Sequence, residues 1–125
     1  ANTQVKFLGH IDNPDTIKEL HHHCFAYVHG HEYGGINPSL LKALGYSNCV
    51  LALNTPFNAE VLENGKYGIL FEKKVGDLAD KIRFLETRPE IAEDFRKRAT
   101  EPITNRFNWD LIAQQYLKVF EEVLP

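Results

Sequence analysis

Gly34-Gly35-Ile36-Asn37-Pro38-Ser39-Leu40-Leu41-Lys42-Ala43-Leu44 reads as a glycine turn running straight into a helix. The apolar run Cys24 to Val28 ahead of it reads as the incoming strand. Gly34 and Gly35 can take backbone angles that a Cβ forbids and let a ligand approach the main chain closely. Asn37 is a good N-cap, and Pro38 at the first helical position loses no hydrogen bond by lacking an N–H. A helix starting there turns unpaired N–H groups and the positive end of its dipole toward the turn, an arrangement suited to a phosphate. On local physics alone an ordinary strand–loop–helix connection is an equal reading, because a lone glycine pair is a weak motif.

Working outward, the rest of the chain is built from short apolar runs alternating with helical stretches. Val5 to Gly9 is strand-like, and Asp12-Asn13-Pro14 starts a helix through about Leu20. After the strand Cys24 to Val28 and the helix from Pro38 to about Leu44 comes a strand over Cys49 to Leu53. Asn54 to Asn58 reads as a turn, Ala59 to Leu62 as a short helix, Asn64-Gly65 as another turn, and Gly68 to Glu72 as a strand. Strands alternating with helices predict parallel pairing through crossover connections. Beyond Phe71 the pattern is helical only. Leu78, Ile82 and Leu85 make one stripe, Ile91 and Phe95 a second, and Leu111, Ile112, Tyr116, Val119, Phe120 and Val123 a third, with breaks at Pro89 and Pro102.

The 125 residues are enough for one domain with a real core, and 43% apolar with 25% charged residues is the balance of a globular protein. A net charge of −3 argues against a nucleic-acid partner, which calls for a basic face. No apolar run approaches a membrane span, and the first residues do not read as a signal peptide. Cys24 and Cys49 each lie in an apolar run, which points to buried reduced thiols and a cytoplasmic protein.

Five segments, in order, resemble the later part of the C-terminal domain of GT-B-type retaining glycosyltransferases. Val5-Lys6-Phe7-Leu8-Gly9 resembles that family's "v-x-F-L-G" strand, and Tyr27 to Leu44 resembles its donor-binding "E-G-F-G-L-P-x-L-E-A-M". Cys49 to Ala52 resembles "P-V-I-A". Asn58 to Gly65 with Gly68 to Phe71 resembles "E-V-I-x-D-G-x-x-G-x-L-F", and Phe107 to Asp110 resembles "F-S-W-E". The variant Gly-Gly-x-Asn-Pro-Ser-Leu-Leu is most similar to enzymes adding rhamnose or a related sugar to bacterial surface polysaccharides. The resemblance implies an α/β fold: a partial Rossmann-like domain spanning residues 1–125, with a short parallel sheet flanked by helices and a helical C-terminal tail. It also implies that the N-terminal acceptor domain and the first two βα units are absent, so that the chain is a fragment inactive alone.

The implied activity is transfer of a sugar from a nucleotide-diphosphate sugar to a polysaccharide or lipid-linked acceptor. No cofactor or metal is implied; the nucleotide sugar is the donor substrate. In the family, backbone amides of the glycine loop hold the donor diphosphate; here that loop is Gly34, Gly35 and Ile36. Asn37, Pro38 and Ser39 open the helix, and Ser39 adds a hydroxyl donor. Two family carboxylates, one contacting the transferred sugar and one the nucleoside, fall on Gly34 and Lys42 here. Glu32 is the candidate catalytic residue that supplies the displaced carboxylate and orients the sugar. Lys42 cannot accept a hydrogen bond from ribose; it meets phosphate, marks a different or degraded nucleoside site, or is simply exposed. Glu60 matches an acidic position near the donor pocket, and pairing with a helix terminus is an equal reading. His31 falls where the family often has a serine near the donor, although an exposed or structural imidazole is the better single reading.

The remaining candidates read as structural. His21, His22 and His23 are consecutive, so on a helix they point about 100° apart and cannot converge on one metal. Residues as close along a strand as His29, His31 and Glu32 rarely close a tetrahedron around one. Trp109 reads as an anchor of the last helix, and Lys73-Lys74 and Arg96-Lys97-Arg98 as solvated faces. With the preceding βα units absent, the Val5–Gly9 strand would pair directly beside Cys24–Val28, pair with another chain, or dangle, and such exposed sheet edges invite dimerisation or strand swapping. In the intact enzyme the acceptor is expected through the missing domain, with the protein cytoplasmic or peripheral at the inner face of the membrane. A non-catalytic phosphate-binding or subunit-contact domain on the same scaffold is the alternative.

Overall fold

The computed structural model describes residues 5–32 and 38–123. Three strands, β1 (Tyr27–His29), β2 (Val50–Leu53) and β3 (Ile69–Phe71), form a parallel sheet in the order β1-β2-β3. Tyr27 lies opposite Val50 and His29 opposite Ala52; on the other side of β2, Leu51 faces Ile69 and Leu53 faces Phe71. Because strand side chains alternate between faces, this register sorts the core into two layers. Val50 and Ala52 join Leu40, Ala43 and Leu44 of α2 (Pro38–Gly45), Val61 of α3 (Pro56–Val61), Leu62 and Tyr67. Cys49, Leu51 and Leu53 join Leu85 of α4 (Asp77–Thr87) and Ala92 and Phe95 of α5 (Pro89–Arg98). All four residues of β2 are buried. The turn into β3 passes close beneath β2, where a Cβ on Gly68 would sit 2.9 Å from the Val50 carbonyl oxygen.

The helix starts follow from local chemistry. Asn13 accepts a hydrogen bond from the Asp15 amide at 2.9 Å and Pro14 opens α1 (Pro14–His23). Thr55 does the same for the Asn58 amide at 3.1 Å, with Pro56 next, so the helix begins three residues earlier than the turn reading of Asn54 to Asn58. A 3-10 turn at Glu63–Gly65 leads toward β3. A short α6 (Glu101–Asn105) precedes α7 (Trp109–Val123), whose start is capped by Asn108 accepting from the Leu111 amide at 2.8 Å. The apolar stripe of α7 stays at the surface: Tyr116, Val119, Phe120 and Val123 are all exposed. The Trp109 side chain, read as an anchor, lies outside the described residues.

Two strand expectations change. Residues 5–9 form no strand: Val5, Phe7 and Leu8 are exposed, Phe7 almost wholly (94%), and no described strand pairs with them. A strand is defined by its ladder, so an alternating apolar pattern without a neighbour is not enough. The strand expected at Cys24 to Val28 begins only at Tyr27, because the preceding groups are already engaged. The Cys24 amide closes α1 on the Leu20 carbonyl, and the Phe25 carbonyl accepts from Arg96. The ladder starts where the Tyr27 amide reaches the Cys49 carbonyl at 2.8 Å.

The histidine run ends α1 instead of following it, and its members diverge. His23 meets Glu19 at 3.0 Å in solvent. His21 turns inward, its Nδ1 2.8 Å from the Asn48 amide nitrogen and its ring stacked on Tyr46 at 5.0 Å. The Cys24 thiol donates to the Asn48 Oδ1 at 3.1 Å, so one buried asparagine fastens α1 to the turn before β2. Both thiols are free, as expected, and burial pushes the Cys49 thiol up to about 11. His29 is buried on β1 and its Nε2 has no hydrogen-bond partner.

Burial first, then the charge of Lys42 for His21 and of His31 for His29, lowers both imidazole pKa values from the ordinary 6.5. The unfolded chain therefore binds more protons below that value, so the stabilising difference is complete above it and declines as pH falls. Urea denaturation should show stability dropping between about pH 7.5 and 5, and His29→Phe should flatten the drop. An unchanged pH slope in His29→Phe would contradict the assignment.

Candidate functional site

The glycine loop itself, Gly34, Gly35, Ile36 and Asn37, lies outside the described residues. Its two flanks are described, and both end at the same side of the molecule. In a parallel sheet all carboxyl ends of the strands open on one edge, where open α/β sheets take their ligands. At that edge His31 and Glu32 follow β1, Asn54 and Thr55 follow β2, and Glu72 and Lys73 follow β3. Pro38 and Ser39, both exposed, open α2 immediately after the glycine loop, with Leu40 fully buried behind them.

The segment carrying His31 and Glu32 is held by Asn58. This side chain is buried, and its Nδ2 donates to the Leu53 carbonyl at 2.9 Å and to the His31 carbonyl at 3.3 Å. One carboxamide thus joins the ends of β1 and β2. The segment after β3 is held separately. The Asp77 carboxylate accepts from the Glu72 amide at 2.6 Å, which together with the Lys81 ammonium keeps Asp77 below the usual carboxylate range. The Glu72 carboxylate in turn accepts from the Asn54 amide group at 2.8 Å. The chain doubles back through a Lys74-to-Glu72 backbone bond and through Gly76, whose φ of +87° is left-handed and favours glycine there.

Between these two anchored segments runs one ion pair. The Lys73 ammonium reaches both oxygens of Glu32, at 3.0 and 3.1 Å, from 41 positions away in the chain. Lys73, read in the sequence as solvated, is thereby brought to the candidate carboxylate. His31 is exposed, and its ring lies 6.0 Å from that of His29. Lys42 is exposed on α2, with its charge acting on His21. Glu60 stands about 200° around α3 from Asn58. It pairs with Arg106 at 3.7 Å, while its carbonyl accepts from the same guanidinium at 3.0 Å. The structure therefore brings Glu32 and Lys73 together and engages Glu60 elsewhere. Among the described residues no group of three His, Cys, Asp or Glu side chains is placed to hold a metal ion.

Lys73, Asn54, Asp77 and Asn58 were not legible as site residues. Only the Thr55-Pro56 helix start, which sets Asn58 at its third position, carried a local signal.

The described edge thus carries a carboxylate, a lysine and the start of α2 on a parallel α/β scaffold. The chain belongs to the family of glycosyl transferases, group 1, whose pattern it matches over residues 1–101. It is also 28% identical over 91 residues to a poly(ribitol-phosphate) alpha-N-acetylglucosaminyltransferase of Staphylococcus aureus (strain COL). That match covers 71% of this chain and 18% of the relative, so the chain spans a small part of the relative's length. No helix among the described residues is long and apolar enough to cross a membrane.

Because both acceptors of Asn58 are backbone carbonyls at the site edge, Asn58→Ala should cost about 1–3 kcal/mol in urea denaturation. It should also raise amide hydrogen exchange of the segment around His31 and Glu32 above its wild-type rate, with β2 unaffected. Wild-type stability with unchanged exchange would show that Asn58 does not hold this edge.

Proposed function

We propose that this chain is the donor-binding part of a nucleotide-sugar-dependent glycosyltransferase. The sugar goes from a nucleoside diphosphate to a polysaccharide or lipid-linked acceptor held by a further domain. The observation that supports this most is the placement of Glu32 just beyond the carboxyl end of β1, where Lys73 from beyond β3 meets it. The positive helix end and the amides around Ser39 and Leu40 would stabilise charge on the leaving diphosphate. Glu32 would accept hydrogen bonds from hydroxyls of the transferred sugar and orient it, with His31 beside it as a second polar contact. A carboxylate is the appropriate group, since it is an acceptor only and hydroxyls must donate to it.

The sugar has two supported candidates. The Gly-Gly-x-Asn-Pro variant is similar to rhamnose-transferring enzymes, whereas the staphylococcal relative is named for N-acetylglucosamine and a poly(ribitol-phosphate) acceptor. Under the present reading either sugar would leave a nucleoside diphosphate behind on the α2 side of the edge. Lys42 supports a second reading, a phosphate-binding or subunit-contact domain without catalysis, because lysine cannot accept from nucleoside hydroxyls.

Calorimetric titration of the chain with UDP, dTDP and GDP, then with UDP-N-acetylglucosamine and dTDP-rhamnose, separates these readings. The expected outcome is binding of one nucleoside diphosphate, weakened by salt, with the matching sugar nucleotide bound more tightly than the bare one. Equal affinity with and without the sugar would favour the non-catalytic scaffold. No binding by any of the five would overturn the donor-site reading.

A further inference from the structure

We propose that Lys73 is the positioning residue for Glu32: it holds the carboxylate over the end of β2 and offsets its charge beside a bound diphosphate. The inference rests on the donor-site reading above and adds a residue from the far side of the sheet. β1 and β3 are separated by β2, about 9–10 Å from strand to strand, and the Lys73–Glu32 pair spans that gap at 3.0 and 3.1 Å.

An ordinary surface pair joins two freely moving side chains and contributes little. Here both ends are mounted. Glu32 follows a residue whose carbonyl is fixed by Asn58, and Lys73 follows a residue whose amide is fixed by Asp77 and whose carboxylate is fixed by Asn54. Glu32 is the less exposed partner, 34% against 72% for Lys73.

The need for such a partner follows from charge. A carboxylate that must touch the sugar of a nucleotide sugar stands close to a diphosphate of the same sign, and like charges repel at that range. An ammonium gripping both carboxylate oxygens cancels the pair's net charge. It also leaves each oxygen a lone pair for a sugar hydroxyl, since a carboxylate offers about four acceptor sites. Lys73 thus acts through Glu32, without contact to the donor.

A double-mutant cycle tests this by titrating UDP, dTDP and GDP into wild type, Lys73→Met, Lys73→Gln, Lys73→Arg, Glu32→Gln and Glu32→Gln/Lys73→Met. Each variant is first checked for a wild-type amide spectrum. The expected result is a loss of about threefold to fivefold in nucleotide affinity for the two neutral variants. Lys73→Arg should recover it, and the loss should vanish when Glu32 is also replaced. A loss that persists undiminished in the Glu32→Gln background would overturn the proposal, as would neutral variants that bind like wild type. Absence of nucleotide binding in wild type would overturn the donor-site reading and this inference with it; binding without the cycle's coupling would overturn this inference alone.

Discussion

Strand β2 has no solvent-facing side. Both of its edges are hydrogen-bonded, to β1 and β3, and both of its faces are covered, so Val50, Leu51 and Ala52 are fully buried. In a three-stranded sheet this is the one strand on which the two apolar layers meet. Its two-residue alternation decides that α2 and α3 pack on one side and α4 and α5 on the other. A slip of one residue would turn Val50 and Ala52 toward α4 and α5 and Leu51 and Leu53 toward α2. Parallel pairing brings a second consequence: each return between strands needs a crossover connection, so all three carboxyl ends emerge on one edge. The position of the candidate site is therefore a by-product of how β2 is buried.

At that edge, polar groups do what apolar contacts cannot. Asn58 ties β1 to β2, and the Asp77–Glu72–Asn54 chain ties β3 to the segment after β2. The Glu32–Lys73 pair then bridges the two tied segments. Its charges are opposite and its net charge is zero, whereas a free carboxylate there would oppose any anionic ligand drawn by the α2 helix end.

Much of the fold was legible because it is written locally. The Pro38 and Pro14 helix starts, the break at Pro89, the apolar run at β2 and the stripes of α4 and α5 follow from spacing alone, and the structure agrees. Residues 5–9 show where that reading ends: Val5, Phe7 and Leu8 make an apolar, strand-like run, but pairing is a property of a neighbour that the segment's own sequence does not encode. The late start of β1 has the same origin, since Arg96 takes the Phe25 carbonyl from 71 positions away. Glu32 and Ser39 could be singled out because the family resemblance sets them beside the glycine-rich stretch of the sequence. Lys73 could not, because a lysine pair in an acidic chain looks solvated until the sheet order is known. His21 and Asn48 were hidden likewise: one member of a histidine run packs inward only because an asparagine 27 positions later is buried beneath it.

The proposed place for an anionic nucleotide ligand is the carboxyl edge of the sheet, where the Glu32–Lys73 pair lies. Amide chemical shifts of the labelled chain, followed residue by residue during titration with UDP, dTDP and GDP, test that place directly. The account predicts shifts concentrated at His31, Glu32, Ser39, Leu40 and Lys73 for one nucleotide, with α4 and α5 silent. Shifts centred instead on Arg96 and Lys97, or a folded chain whose spectrum no nucleotide alters, would contradict it.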